Sequence, residues 1–298
     1  CLAGGTAGAA DPATLRVKVF PGAQNLAILA ALDKGFFAKR DLKVELQFTV
    51  NSTELRDGLA AGAFDIAHSA TDNAVAMVDP GGKDVIIVMG GDSSMNEFFV
   101  QPEIGSVADV RGKVLLVDAP NTAYALQAKK ILLNSGLKAG DYGLDPVGGT
   151  ALRLRGMTEK KGVAAIINPP FSILARQQGM KSLGRTVDLL GPYQATGAFV
   201  MRAWAAANSA ALERYLAAYV EALRWALQPA NRADSVAMLA KSLKIEATVA
   251  EQTYDLLSQP KFGLTLDAKF DLEGFKNVLA LRAEIEGTWG GKPPSPER

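Results

Sequence analysis

The feature that most constrains the fold is an alternation of strand-like and helix-like segments, which begins at Leu15 and occurs twice along the chain. Segment 15–20 alternates apolar and charged residues as a half-buried strand does, and segment 84–90 is apolar almost throughout, as in a strand covered on both faces. Strands are predicted at 15–20, 42–48, 64–69, 84–90, 113–118, 143–149, 162–168 and 196–202, with helices at 24–37, 52–62 and 121–136. Because strands that alternate with helices form parallel sheets with right-handed crossovers, the pattern predicts an α/β protein with two such sheets.

Beyond Trp204 the pattern becomes purely helical. Segment 208–229 places its leucines and Tyr219 on one stripe and stops at Pro229. The stripe is as wide as ordinary packing requires, so it is interpreted as part of the core. Further helices are predicted at 231–242, 246–257 and 271–286.

Composition and residue counts exclude several functions. The net charge is +1, from 32 basic and 31 acidic residues, so there is no basic excess with which to bind nucleic acid. One cysteine, Cys1, and one histidine, His68, cannot supply the about four ligands of a zinc site. No serine-hydrolase, zinc-protease or P-loop motif occurs, and neither a metal nor a cofactor is expected. His68 is either a ligand contact or general base, or a hydrogen-bonded residue at a strand end, and the second interpretation is favoured.

Small, neutral, hydrogen-bonding residues follow most of the predicted strands, where the next helix would begin. They lie in segments 21–25, 51–53, 68–73, 90–94, 118–124, 148–150, 168–171 and 192–196. Ligands of open parallel sheets bind outside the carboxyl ends of the strands, and helix N-termini there suit an anion or a polar oxygen. Each segment alone could be a helix cap, but eight at one end of two lobes favour a shared pocket.

The charged residues near these strand ends leave the charge of the ligand open. Asp72, Asp92 and Asp118 could repel an anion or accept hydrogen bonds from an amine or a heterocyclic N–H, and they could equally be caps. His68 and Arg153 are the candidate positive partners.

Three stretches of the chain carry a combination of motifs known from one family. They are Lys34-Gly35-Phe36-Phe37 with Leu42-Lys43-Val44 and Leu59 to Asp65-Ile66, then IGSVADVRGKVLLVDAPNTAYALQAKKILLNSGL (104–137), and NPPFSILARQQGMKSLG (168–184). Together they resemble the nitrate-, sulfonate- and taurine-type substrate-binding proteins of ABC importers, which are similar to the thiamine-precursor (pyrimidine) binding proteins. The resemblance covers roughly residues 15–227.

The resemblance implies the two-lobed type II periplasmic-binding-protein fold. Each lobe would be a mostly parallel sheet flanked by helices, and the chain would cross between lobes twice, near 92–97 and 192–198. The implied organisation is a flexible tether at 1–13, lobe one at 14–94 and 197–298, and lobe two at 95–196. Such lobes close on a ligand about a hinge.

The resemblance also implies a site and a function. The family's ligand contacts, carried over residue by residue, are Gln24, Asn25, Ser52, Thr53, Ser69, Thr71, Asp72, Thr122, Tyr124, Asn168 and Phe171. The implied function is extracytoplasmic solute binding for an ABC importer, with a sulfonate, nitrate or similar oxyanion favoured and a pyrimidine or other small heterocycle as the alternative. No catalysis is expected, and the alternative of another class is an enzyme on the same fold, desulfinase-like or cofactor-biosynthetic.

Cys1 and the small-residue linker that follows it resemble the start of a mature lipoprotein. This resemblance implies a periplasmic or extracytoplasmic protein that is anchored to a membrane through a lipid on Cys1. The implied partners are a small-molecule ligand and the membrane permease, and the protein is expected to be a monomer.

Overall fold

The computed structural model describes residues 12–297, which form two five-stranded sheets with helices on both faces. The first sheet contains β1 (Ala13–Val19), β2 (Leu42–Phe48), β3 (Ile66–Ala70), β4 (Val85–Gly90) and β10 (Thr196–Met201). The second contains β5 (Glu97–Val100), β6 (Val114–Val117), β7 (Gly143–Pro146), β8 (Ala164–Ile167) and β9 (Lys181–Arg185).

The two sheets share one topology. The first has the order β2-β1-β3-β10-β4 and the second β7-β6-β8-β5-β9. In the first, β1 pairs in parallel with β2 and β3, while β10 runs antiparallel between β3 and β4. In the second, β5 occupies the equivalent antiparallel position between β8 and β9. The predicted two-lobed α/β fold with mostly parallel sheets is therefore confirmed, and each sheet has one antiparallel strand that follows a crossing.

Twelve α-helices lie within the described residues. They are α1 (Leu26–Asp33), α2 (Ser52–Ala60), α3 (Thr71–Val78), α4 (Ala123–Asn134), α5 (Thr150–Thr158), α6 (Phe171–Gln177), α7 (Thr186–Leu190), α8 (Arg202–Ala207), α9 (Ser209–Leu227), α10 (Arg232–Leu243), α11 (Ala247–Leu257) and α12 (Leu272–Glu286). None of these helices is long and apolar enough to cross a membrane.

Each sheet is covered on both faces, which explains the nearly continuous apolar character of its inner strands. In lobe one, the first sheet with its helices, α1 and α9–α11 pack on one face, and α2 and α3 pack on the other. In lobe two, the second sheet with its helices, α4 covers one face, and α5 and α6 cover the other. The stripe of α9 is buried in the lobe-one core, as its spacing indicates.

The chain changes sheets in the two segments where crossings are predicted. It leaves lobe one between Gly90 and Glu97 and returns before Thr196. The two crossings are hydrogen-bonded to each other, because the amide of Ala195 donates to the carbonyl of Asp92 at 3.1 Å and the hydroxyl of Thr196 donates to the Asp92 carboxylate. They therefore form a double connection between the lobes.

The predicted tether at 1–13 overlaps the fold at its end, since Ala13 already belongs to β1. Cys1, the predicted lipid-attachment residue, lies outside the described residues. The C-terminal helix, which the resemblance assigns to lobe one, also packs against lobe two. Helix α12 contacts α3 of lobe one and α4 of lobe two.

Candidate ligand-binding site

A polar cavity of about 50 Å³ lies between the lobes, at the carboxyl ends of the parallel strands. Its lobe-one wall comes from the segments after β1 and β3 and from the start of α2, and its lobe-two wall from the segments after β6 and β8 and from α4 and α5. Its polar lining residues are Gln24, Asn25, Ser52, His68, Ser69, Asn73, Asp118, Thr122, Tyr124, Thr150, Arg153, Asn168, Thr196 and Tyr219.

The structure brings seven of the eleven predicted ligand contacts to this cavity. They are Gln24, Asn25, Ser52, Ser69, Thr122, Tyr124 and Asn168. Six of them follow a strand or lie at the start of a helix, and Ser69 is the penultimate residue of β3, so the convergence of strand ends predicts their positions. Their role as ligand contacts stays a prediction.

The other four predicted contacts lie outside the cavity lining. Thr53 is exposed, since the residue after Ser52 on α2 points about 100° away around the helix. The buried hydroxyl of Thr71 donates to the carbonyl of Gln194 at 2.7 Å. Phe171 packs against the lobe-two core.

Asp72, the fourth, is fully buried on α3 and paired with Arg282 of α12. Two guanidinium nitrogens of Arg282 donate to the carboxylate at 2.7 and 2.6 Å. Arg282 also donates to the carbonyl of Asn121 at 2.9 Å. The contacts of Asp72 thus connect it to the junction of the lobes.

Seven polar residues of the cavity are absent from the predicted contact set, and Arg153 is the one of them that carries a positive charge. It lies within α5 and not at a strand end, so the strand-end pattern does not select it, although its charge makes it a candidate positive partner. Its side chain is 1% exposed and donates to the carbonyls of Ile166 and Gly148 and to the hydroxyl of Thr150, at 3.1, 2.9 and 2.8 Å. None of the carboxylates in residues 12–297 forms an ion pair with it, and burial lowers the pKa of the guanidinium. The cavity wall therefore contains a buried cation whose hydrogen bonds all go to neutral groups and on which the carboxylate of Asp118 acts at longer range.

Asp118 is the other charged residue of the lining and connects the lobes. It follows β6 in lobe two, and its carboxylate accepts from the amide of Ser52 in lobe one at 3.3 and 3.2 Å. Beside this contact, the amide of Gly149 donates to the carbonyl of Val50 at 2.9 Å. These bonds hold the two walls of the cavity together.

Two amide side chains in lobe one have a buried oxygen with unused hydrogen-bonding capacity. The amide nitrogen of Asn73 donates to the hydroxyls of Ser52 and Ser69 at 3.1 and 3.0 Å. Within the described part of the chain, the Asn73 Oδ1 and Gln24 Oε1 atoms have no partner. A buried polar atom without a partner is costly, so each amide is suited to a ligand atom or a water molecule.

His68 contributes a neutral ring to the cavity wall. Its Nε2 is hydrogen-bonded to the hydroxyl of Tyr215 at 2.7 Å, and its ring stacks on Tyr219 with centroids 5.4 Å apart. Burial lowers the pKa of the imidazole to about 3, although part of the ring faces the cavity. The favoured interpretation of a hydrogen-bonded histidine at a strand end agrees with this geometry.

No group of three or more His, Cys, Asp and Glu side chains in residues 12–297 is arranged to hold a metal ion. Two α/β lobes are thus joined by a double crossing, and a cavity lined by polar and apolar residues lies between them. This arrangement defines the class of two-lobed binding-protein folds.

Comparison with known proteins gives the family within that class. The sequence model of the NMT1/THI5-like family matches residues 23–233, and the chain belongs to this family. No curated protein matches the chain in sequence.

Solved structures share the fold at low sequence identity. The alkanesulfonate-binding protein SsuA from Xanthomonas axonopodis pv. citri, bound to MOPS, is 18% identical with a TM-score of 0.74, covering 91% of this chain and 92% of its own. The periplasmic aliphatic sulphonate-binding protein SsuA from Escherichia coli is 20% identical with a TM-score of 0.71, covering 92% and 90%. The periplasmic nitrate-binding protein NrtA from Synechocystis is 15% identical with a TM-score of 0.76, covering 95% and 83%. The fold is thus that of periplasmic binding proteins.

Proposed function

We propose that this protein is the extracytoplasmic solute-binding component of an ABC importer, and that it captures a small oxyanion such as nitrate or a small sulfonate between its lobes. The family and the fold support the solute-binding role, and the structural relatives named for sulfonate and nitrate binding make these the first ligands to consider. The loaded, closed form would deliver the solute to a membrane permease.

The observation that carries the oxyanion proposal is the buried guanidinium of Arg153. A charge removed from water is costly unless a counter-charge or hydrogen bonds compensate it, and Arg153 has only neutral partners within hydrogen-bond distance. Three of its five N–H groups are accounted for by these bonds. The remaining donors suit an anionic oxygen, because guanidinium–oxyanion hydrogen bonds are charge-assisted.

The cavity volume favours the oxyanion over the heterocycle. The cavity volume is about 50 Å³. An apolar cavity that binds benzene measures roughly 150 Å³. The smaller volume therefore favours a nitrate ion or a methanesulfonate head over a pyrimidine.

Binding is favoured over catalysis by the state of the histidine in the cavity. The pKa of about 3 makes the His68 ring a poor proton acceptor near neutral pH, and its Nε2 is already bonded to Tyr215. The cavity thus has groups that bind and orient a solute.

Calorimetric titration of residues 12–298 with nitrate and methanesulfonate tests the proposal. We expect binding of at least one of them and a loss of about 100-fold or more for Arg153→Gln, because a charged hydrogen-bonding partner of a desolvated anion is removed. Arg155→Gln is the matched control, since Arg155 lies on the same helix, is exposed and pairs with Glu159 at 2.7 Å.

If Arg153→Gln and the natural sequence bind nitrate or methanesulfonate with equal affinity, the role assigned to Arg153 is contradicted. Arg153→Lys keeps the positive charge and serves as a second variant if Arg153→Gln does not fold. Its affinity for the anion should lie between those of the natural sequence and Arg153→Gln. Binding of a pyrimidine in place of both anions would favour the heterocycle.

A further inference from the structure

Asp118 contacts the N-terminus of α2, the place in lobe one where an anionic group of a ligand would otherwise be expected. Ser52 is the first residue of α2, and its amide points across the cleft to both carboxylate oxygens of Asp118. A helix N-terminus favours negative charge, and here the opposite lobe supplies that charge.

The cavity wall therefore contains one positive and one negative side chain. Among the described residues that line the cavity, Arg153 and Asp118 are the two that carry charge, since the His68 ring is neutral. Arg153 offers a partner to one negative charge. Asp118 repels any further negative charge, and because both side chains are buried, water screens that repulsion weakly.

We propose that Asp118 is a specificity-determining residue that restricts the cavity to monoanions and excludes dianions of the same size. This inference rests on the proposed function, because it concerns the charge of the oxyanion bound in the same cavity. Size alone would not separate methanesulfonate from sulfate, which are both tetrahedral at sulfur and differ mainly in charge. The carboxylate of Asp118 supplies the discrimination.

The test is a pair of calorimetric titrations with methanesulfonate and sulfate, performed on the natural sequence and on Asp118→Asn. The asparagine keeps an oxygen that can accept from the Ser52 amide, so the contact between the lobes is retained while the charge is removed. We expect the natural sequence to prefer methanesulfonate by about tenfold or more, and Asp118→Asn to lower that preference by about tenfold or more.

Asp57→Asn is the matched control, because Asp57 is exposed on α2 and its substitution changes the net charge by the same amount. Its preference between the two anions should equal that of the natural sequence. If Asp118→Asn does not fold, Asp118→Ser provides a second neutral variant with an oxygen acceptor.

The outcomes separate this inference from the proposed function. An unchanged preference in Asp118→Asn, or tight sulfate binding by the natural sequence, overturns the inference and leaves oxyanion binding intact. Failure of the natural sequence to bind either nitrate or methanesulfonate overturns the proposed function. Sulfate binding gained by Asp118→Asn would still support the role of Asp118. If neither the natural sequence nor Asp118→Asn binds sulfate, that role is overturned.

Discussion

Two buried arginines on opposite sides of the lobe junction illustrate how a charge is compensated inside this protein. Arg282 is paired with a carboxylate, whereas Arg153 has three neutral hydrogen-bond acceptors. A cation that already has a counter-charge has little to gain from a ligand. Arg153 has no such ion pair, although the carboxylate of Asp118 acts on it at longer range, so its unused N–H donors make it the better anchor for an anion.

At His68 the structure predicts a pH dependence of stability. The native ring takes up a proton only near its pKa of about 3, whereas the ring of the unfolded chain does so near 6.5. As the pH falls below 6.5 the unfolded state is protonated first, so the free energy of unfolding decreases until the pH reaches about 3. At pH 4.5 the loss should be roughly 2–3 kcal/mol relative to pH 7.

Urea unfolding of the natural sequence and of His68→Gln at both pH values measures this loss. The neutral glutamine does not titrate, so the stability difference between the two proteins should shrink in acid by that amount. A difference that stays constant between pH 7 and pH 4.5 would show that the native ring titrates normally.

The strand-end pattern predicts cavity residues such as Ser69, Thr122 and Asn168 because all parallel strands of a sheet end at one edge. It cannot predict Arg153, whose approach to the cavity depends on the orientation of α5 against the second sheet. Asp72 fits the strand-end pattern equally well, but its contact with Arg282 joins residues 210 apart in sequence. Such long-range pairings leave no local signal in the sequence.

Among the elements, helix α12 connects the two lobes. It is capped by Asp271, whose side chain accepts from the amide of Gly274 at 3.0 Å, and it contacts α3 and α4. The ammonium of Lys129 on α4 pairs with Glu286 on α12 at 2.8 Å. The Asp72–Arg282 pair is the buried part of this junction.

Removal of one partner from that pair should destabilise the protein without weakening ligand binding. Asp72→Ala leaves the Arg282 guanidinium buried and unpaired, which costs about 3–5 kcal/mol. Urea unfolding measures the loss, and titration with nitrate or methanesulfonate measures the affinity, which we expect to change by less than about threefold because Asp72 does not line the cavity.

The double variant Asp72→Ala with Arg282→Met removes both charges and should recover part of the lost stability. If Asp72→Ala instead abolished binding at unchanged stability, Asp72 would be the ligand contact that the family resemblance implies.

The two strands that the sequence analysis omits are short. Strand β5 has four residues, all buried, and β9 combines Lys181 and Arg185 with a glycine at positive φ, Gly184. Runs of this length carry too little periodicity to be recognised, and their pairing comes from neighbouring strands of the sheet. The long helix α9 and the apolar strand β4 are readily predicted because their patterns extend over more residues.

For the whole molecule, the bonds across the cleft predict a coupling between ligand binding and amide protection. The amides of Gly149 and Ser52 are bonded to the opposite lobe, so their exchange requires the lobes to separate. Ligand at 100 times its Kd should slow their hydrogen exchange by about 100-fold, since it stabilises the closed form by that factor.

Hydrogen-exchange mass spectrometry of peptides 49–54 and 147–151, with and without methanesulfonate, measures this protection. Peptides from β1 and β2 are the internal control, because their amides pair within lobe one and should be unaffected by closure. Identical exchange in the cleft peptides with and without bound ligand would mean that the lobes do not open.

The antiparallel strand of the first sheet has a consequence for synthesis of the chain. β4 ends at Gly90, and its partner β10 begins at Thr196, about one hundred residues later. At about 5–20 residues per second, the ribosome needs roughly 5–20 s to supply that partner. Lobe two is continuous in sequence and can complete its sheet in the meantime, whereas the apolar β4 stays unpaired. Until β10 is made, β4 is an unpaired apolar strand of the kind that pairs with other chains and aggregates.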